Sequence, residues 1–237
     1  MSAAVLPPTP PNENAFPMAT KGMTNMATAH APSNAAIPPP SSEHQHIWII
    51  TGPAGCGKTS VAEHLHQTYK MPYLEGDTYH TPANVAKMAR GEPLTDADRW
   101  DWLILLRDEA IKTLKQQPQP SHPALQNHTT TAPTGVILTC SALKRKYRDI
   151  LRLASLKNPS IHVHFIFLRA SEALLMDRVR ARKNHYMKDY MVRSQFESLE
   201  APAEDETDVL GVEAGGSSEE VKALAADTVE GVMREDA

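Results

Sequence analysis

The chain is poor in cysteine. Its 237 residues include two, Cys56 and Cys140, which excludes a disulfide framework and makes a reducing compartment, the cytoplasm, the expected setting. A basic excess is also missing. Lys and Arg number 24 against 28 Asp and Glu, a formal net charge of −4, which argues against a general binder of nucleic acid or of anionic membrane. No apolar run approaches the roughly 20 residues needed to cross a bilayer. No internal repeat is visible, and the 11 histidines are scattered along the chain with no zinc-ligand spacing. Residues 1–40 contain a single Lys, Lys21, and no Arg, so they resemble neither a secretory signal nor an Arg-rich transit peptide.

The same 40 residues hold nine of the 19 prolines. Such a composition buries too little apolar surface to offset the entropy of ordering, and residues 1–44 are expected to be a disordered tail. Residues 45–237 then suit one domain, and a hydrophobic content of 41% is enough for its core. A second low-complexity stretch, 116–134, carries four prolines and no charge. It is expected to be a surface insertion within that domain.

Between these stretches, short apolar runs alternate with amphipathic ones. The pattern predicts strands over 47–51, 71–74, 136–140, 161–168 and 208–212. It predicts helices over 58–69, 84–90, 96–115, 142–154, 171–183, 187–199 and 218–233. Alternation of this kind implies an α/β fold, a parallel sheet with helices on both faces.

The strongest motif is Gly52-Pro53-Ala54-Gly55-Cys56-Gly57-Lys58-Thr59. It fits G-x-x-x-x-G-K-[ST], and it follows a strand and opens a helix, the context that a phosphate-binding loop requires. Its glycines let backbone N–H groups turn inward on phosphate oxygens, and the helix adds its positive end. Lys58 is placed to reach the β- and γ-phosphates of ATP, and the Thr59 hydroxyl to ligate Mg²⁺. Cys56 is read either as a small residue at a variable position or as a thiol activated by the helix N-terminus.

Two absences narrow the class. The strand over 136–140 ends in Cys140-Ser141, not in the acid that holds Mg²⁺ in GTPases and motor ATPases, and no N-K-x-D guanine-reading motif occurs. A small-molecule kinase, with an acceptor pocket at the carboxyl ends of the strands, fits better. Leu74-Glu-Gly-Asp-Thr-Tyr-His80 follows the second strand. Asp77 is placed to take the proton of an attacking hydroxyl, and His80 to hydrogen-bond the acceptor; turn or cap roles compete with both. Thr95 or Asp96 should cap the next helix. Arg99 in its first turn opposes the helix dipole, so it either binds a substrate carboxylate or pairs with an acid such as Asp96. Trp100 and Trp102 read as packing residues.

Five segments in this order, GPAGCGKT, EGDTYHTPANVAKM, GEPLTDADRWDWL, TCSALKRKYRDIL and RARKNHYMKDYMVRSQFESLEAP, resemble gluconokinases over most of residues 46–212. The resemblance implies a P-loop fold of the nucleoside-monophosphate-kinase type, sheet order 2-3-1-4-5. It implies transfer of phosphate from ATP with Mg²⁺ to the 6-hydroxyl of D-gluconate, and commonly a homodimer. It adds Lys144 and Arg148, read as one helix face, to His80, Arg99 and Asp77 in the acceptor pocket; a surface basic stripe is the competing reading. It makes residues 169–200 a lid, with Arg178 and Arg182 neutralising charge on the transferred phosphoryl. Arg145 and Lys146 are expected to point into solvent. Asn184 stands where many members have Gly. A kinase for another hydroxy acid such as shikimate, or a nucleotide-binding regulatory module without turnover, are the alternative readings.

Overall fold

The apolar runs pair into one five-stranded sheet in the order β2-β3-β1-β4-β5, every neighbouring pair parallel. The computed structural model describes residues 44–117, 135–181 and 189–236. The expected tail up to residue 43 and most of the expected insertion, 118–134, lie outside the described residues. In chain order the elements are β1 (Gln45–Thr51), α1 (Lys58–Tyr69), β2 (Tyr73–Glu75), α2 (Pro82–Ala89), α3 (Asp96–Lys115), β3 (Gly135–Thr139), α4 (Arg145–Lys157), β4 (Ile161–Arg169), α5 (Glu172–Ala181), α6 (Asp189–Glu197), β5 (Val209–Glu213) and α7 (Ser218–Glu235). A 3-10 turn, Gly76–Tyr79, joins β2 to α2.

The strands β1, β3 and β4 are apolar on both faces because both faces are covered. Side chains alternate along a strand, so β1 sends Trp48 and Ile50 to one core and Ile47 and Ile49 to the other. The first core is closed by α1, α5 and α7, the second by α3 and α4. Thr95 caps α3 through a reciprocal bond with Asp98, and Ser217 caps α7 in the same way with Glu220.

One boundary shifts in a way that matters for the site. The sequence pattern predicts a helix from residue 142, but α4 begins at Arg145 with Lys144 as its N-cap residue. Ser141 is pinned instead: its carbonyl accepts from the Gly52 N–H at 3.3 Å and from the Thr51 hydroxyl at 2.5 Å. Ala142 then takes a left-handed conformation, φ 39°, a strain of order 1–3 kcal/mol that its buried surroundings impose.

Arg148, expected in the acceptor pocket, is instead placed by its burial and pairing between α4 and the segment before β5. Its side chain is 1% exposed and forms a fork with Glu206, Nε and Nη2 each donating at 2.7 Å. Its Nη1 donates to the carbonyls of Ala142, Leu143 and Glu200. Arg152 adds a further bond to Glu206 at 2.7 Å and reaches Asp208. A guanidinium satisfied on every side cannot turn to an acceptor; Arg148 ties α4 to the segment leading into β5.

Glu206→Ala would leave that guanidinium buried and unpaired, with an expected loss of about 3–5 kcal/mol, read as a lower urea midpoint. Bonds from Arg148 hold the Glu206 carboxyl down at about 2. Its contribution is therefore complete above the ordinary carboxylate range and is lost as pH falls from about 4.5 toward 2. That part of the acid-unfolding curve should be missing in the variant.

Candidate active site

The loop between β1 and α1 takes the shape that the motif demands. Gly52, Gly55 and Gly57 have φ of 137°, 85° and 101°, a left-handed region that side chains rarely enter. At Gly52 a Cβ would lie 2.9 Å from the Leu168 carbonyl, and at Gly55 3.1 Å from Val179, so the loop is pressed against β4 and α5. Lys58 opens α1, and its ammonium donates to the carbonyls of Gly52 and Pro53 at 3.0 and 3.1 Å. The Ala54 N–H donates to Gln195 on α6 at 2.7 Å, a contact no motif signalled. Cys56 is buried, and desolvation raises its thiol above the ordinary value although Lys58 opposes this. Of the two readings of Cys56, the small packing residue is the one that this environment supports.

Beside the loop, the end of β2 supplies an acid that the sequence reading passed over. The Thr59 hydroxyl donates to Glu75 Oε2 at 3.1 Å. The same carboxylate accepts from the hydroxyls of Tyr73 and Thr139. The signal was present in Glu75-Gly-Asp77, but only the second acid was singled out. Gly76 is compelled by packing: a Cβ there would lie 2.0 Å from the Thr139 carbonyl. Its N–H donates to the Thr139 hydroxyl at 3.0 Å, and its carbonyl accepts from Trp102 Nε1 at 2.9 Å. Trp102 is thus a packing residue that also secures this turn.

Asp77 follows on the 3-10 turn and is exposed. Among the described residues no hydrogen bond or ion pair holds its carboxylate. His80 stacks on Trp102 with ring centroids 4.1 Å apart. Burial lowers its pKa, Asp77 opposing and Arg99 adding to the effect, so the three groups share one neighbourhood. Arg99 donates to the Leu94 carbonyl at 3.2 Å and lies over the Tyr147 ring at 5.7 Å. The expected alternative, an ion pair with Asp96, is not what forms. Asp96 is taken by Lys144 at 3.0 Å and by Lys146 and Tyr147. Lys144 is therefore near the site but paired, and Lys146, expected in solvent, joins it. Arg145 faces away and binds Asp205 at 2.7 Å.

On the other side of the loop, Arg178 of α5 donates to the Gly216 carbonyl at 2.9 Å. It lines a cavity of about 220 Å³ with Gly55, Cys56, Gly57, Ser60 and Ser218 among its walls. Arg182 lies outside the described residues, as does the rest of 182–188.

A parallel 2-3-1-4-5 sheet, with a glycine loop cradling the N-terminus of α1 and a separate polar pocket beside it, defines a P-loop kinase. A sequence profile described as an AAA domain matches residues 47–204. The chain is 39% identical to a Schizosaccharomyces pombe protein named "Probable gluconokinase", covering 84% of this chain and 95% of that one. It is 34% identical to the thermoresistant gluconokinase of Escherichia coli, covering 82% of this chain and 97% of that protein. The crystal structure of a gluconokinase from Sinorhizobium meliloti superposes with a TM-score of 0.62 at 29% identity, covering 84% of this chain and all of that one. The chain belongs to the gluconokinase family.

Gly76→Ala is expected to destabilise by about 1–3 kcal/mol through overpacking and to lower turnover by displacing Asp77. Gly231→Ala in α7, where a Cβ meets nothing within 4 Å, is the matched control. It should gain up to about 1 kcal/mol from helix propensity and leave turnover unchanged. Thermal melts and initial rates of the two variants check this.

Proposed function

We propose that the protein is an ATP-dependent gluconokinase that transfers the γ-phosphoryl of ATP to the 6-hydroxyl of D-gluconate, giving ADP and 6-phospho-D-gluconate. The observation that carries the reading is Arg99. It is a half-buried guanidinium without a carboxylate partner among the described residues, set beside His80 and Asp77 at the strand ends next to Lys58 and Thr59. Such a cation suits the single carboxylate of a sugar acid, and His80 and Lys144 suit its hydroxyls.

In this reading ATP lies with its phosphates in the loop 52–59 and its base toward the cavity under Arg178. Lys58 and the N-terminus of α1 stabilise the charge on the transferred group. Asp77 accepts the proton of the 6-hydroxyl as the new O–P bond forms and the bond to ADP breaks. Thr59 and Glu75 present hard oxygen donors 3.1 Å apart, a donor set that fits Mg²⁺. When bound, that ion supplies neutralising charge to the phosphates. The segment 169–200 acts as a lid, with α6 already touching the loop through Gln195, and Arg178 and Arg182 serve the nucleotide side. No helix among the described residues is long and apolar enough to cross a membrane, and the two buried thiols suit the cytoplasm. The family resemblance adds a homodimer, which sedimentation would read.

The test is ADP release with ATP and Mg²⁺ across D-gluconate, other sugar acids, shikimate and AMP. Release with D-gluconate alone is expected; release with a different acceptor, or none despite bound ATP, overturns the assignment. Asp77→Asn should lower kcat by about 10²–10⁴-fold with little change in the KM for ATP, and unchanged turnover would remove the base role. Arg99→Gln should raise the KM for gluconate about 10–100-fold, the worth of a charged hydrogen bond, leaving ATP binding intact. Lys58→Ala should abolish most turnover.

A further inference from the structure

At the opposite end of the sheet from the phosphate loop, histidines that are scattered in sequence meet in space. His44-x-His46 runs into β1 and His162-x-His164 lies at the start of β4. These strands are adjacent and parallel, with His46 in register with His162. A step of two keeps side chains on one face, so all four imidazoles share the face that α7 covers. Asp236, which ends α7, completes the group. His44 Nδ1 lies 3.1 Å from Asp236 Oδ1, and His162 Nδ1 lies 3.3 Å from the same oxygen. The rings of His44 and His162 stack with centroids 4.1 Å apart. Behind them, His46 Nε2 is 3.3 Å from Asp236 Oδ2, and His46 Nδ1 is 3.0 Å from His164 Nε2.

We infer that His44 Nδ1, His162 Nδ1 and Asp236 bind a divalent transition-metal ion, Zn²⁺ being the best fit, at the base of the sheet. The donor atoms of these three residues all lie within 4.8 Å of one another. Zinc bonds of about 2.0–2.1 Å place neighbouring donors about 3.3 Å apart in a tetrahedron, leaving a fourth position for water. Imidazole and carboxylate are zinc's usual ligands outside cysteine sites. His46 then holds the second oxygen of Asp236 and is itself held by His164, the outer support that orients a metal ligand. Asp236 gives a second reason. A carboxylate at a helix C-terminus faces the negative end of the dipole, and a cation there relieves that repulsion. The ion would join residues 192 positions apart in sequence, tying the start of β1 to the end of α7. It lies roughly 20–25 Å from the phosphate loop, the length of the seven-residue β1, and takes no part in phosphoryl transfer.

The experiment uses the full chain without an affinity tag, stripped with chelator and dialysed against Zn²⁺, with metal counted by elemental analysis. One equivalent should be retained at micromolar free Zn²⁺ and should raise Tm. Co²⁺ in its place should give the visible bands of a tetrahedral nitrogen–oxygen site. The double variant His44→Gln, His162→Gln changes two side chains that are each 38% exposed. It should bind at least 10-fold more weakly, lose the Co²⁺ bands and the Tm gain, and phosphorylate gluconate at the wild-type rate. Absence of stoichiometric metal in the wild type, or equal binding by the double variant, overturns the site. Should the double variant fail to fold, nitrogen-15 spectra of the wild-type imidazoles decide: His44 and His162 Nδ1 must shift on adding Zn²⁺, and unmoved signals overturn it.

Discussion

Thr139, the last residue of β3, holds the two halves of the candidate active site at a fixed separation. β3 lies between β2 and β1, with Thr139 in register with Glu75 on one side and Ile50 on the other. Its hydroxyl donates to Glu75 and accepts from the Gly76 N–H, and its carbonyl stands where any Cβ on Gly76 would have to go. The turn carrying Asp77 is therefore pressed onto the strand next to the phosphate loop. Glu75 completes the link by accepting from Thr59 in the loop itself. The proposed in-line transfer needs its acceptor and phosphate sites held in fixed relation, and three polar contacts and one steric exclusion tie these segments together.

Charge around the acceptor pocket is partitioned by pairing. Asp96 gathers Lys144, Lys146 and Tyr147, and Asp98 takes Lys87. Arg148 and Arg152 share Glu206. Arg99 is left over a Tyr147 ring with one carbonyl bond. A guanidinium spared an acid of its own retains its capacity for an anionic ligand, whereas the paired lysines serve mainly to hold α3 against α4. In the proposed reading, the pocket's selectivity rests on which cation the fold leaves without a carboxylate, a property no single residue carries.

The two edges of the parallel sheet do different work. At the carboxyl ends, backbone N–H groups and the N-terminus of α1 converge on anions. At the amino ends, two His-x-His segments on adjacent strands converge with the C-terminus of α7, where the dipole favours a cation. Both sites follow from parallel alignment, which brings like ends of strands together.

Much of this was legible along the chain. The loop 52–59 is a local motif whose backbone shape is set by its own glycines, and alternating apolar periods suffice to name a parallel sheet flanked by helices. The base candidate Asp77, its neighbour His80 and the cap at Thr95 are also local, and family resemblance supplied the strand order and the reaction. What lay beyond the sequence were the consequences of long-range pairing. Lys144 and Arg148 stay one turn apart, the Arg148 N–H donating to the Lys144 carbonyl, yet their side chains find different acids: Lys144 pairs with Asp96 and Arg148 turns inward to Glu206. Arg99 could not be told apart from a paired cation until Asp96 was seen to be occupied. Cys56 could not be read as inert until its burial was known, and the four histidines had no relation until β1 lay beside β4. Sequence determines what each segment can form because backbone preference and apolar period are local; which charges meet is decided by strand order and helix start, and those depend on contacts between residues far apart in the chain, 90 positions for Thr51 and Ser141.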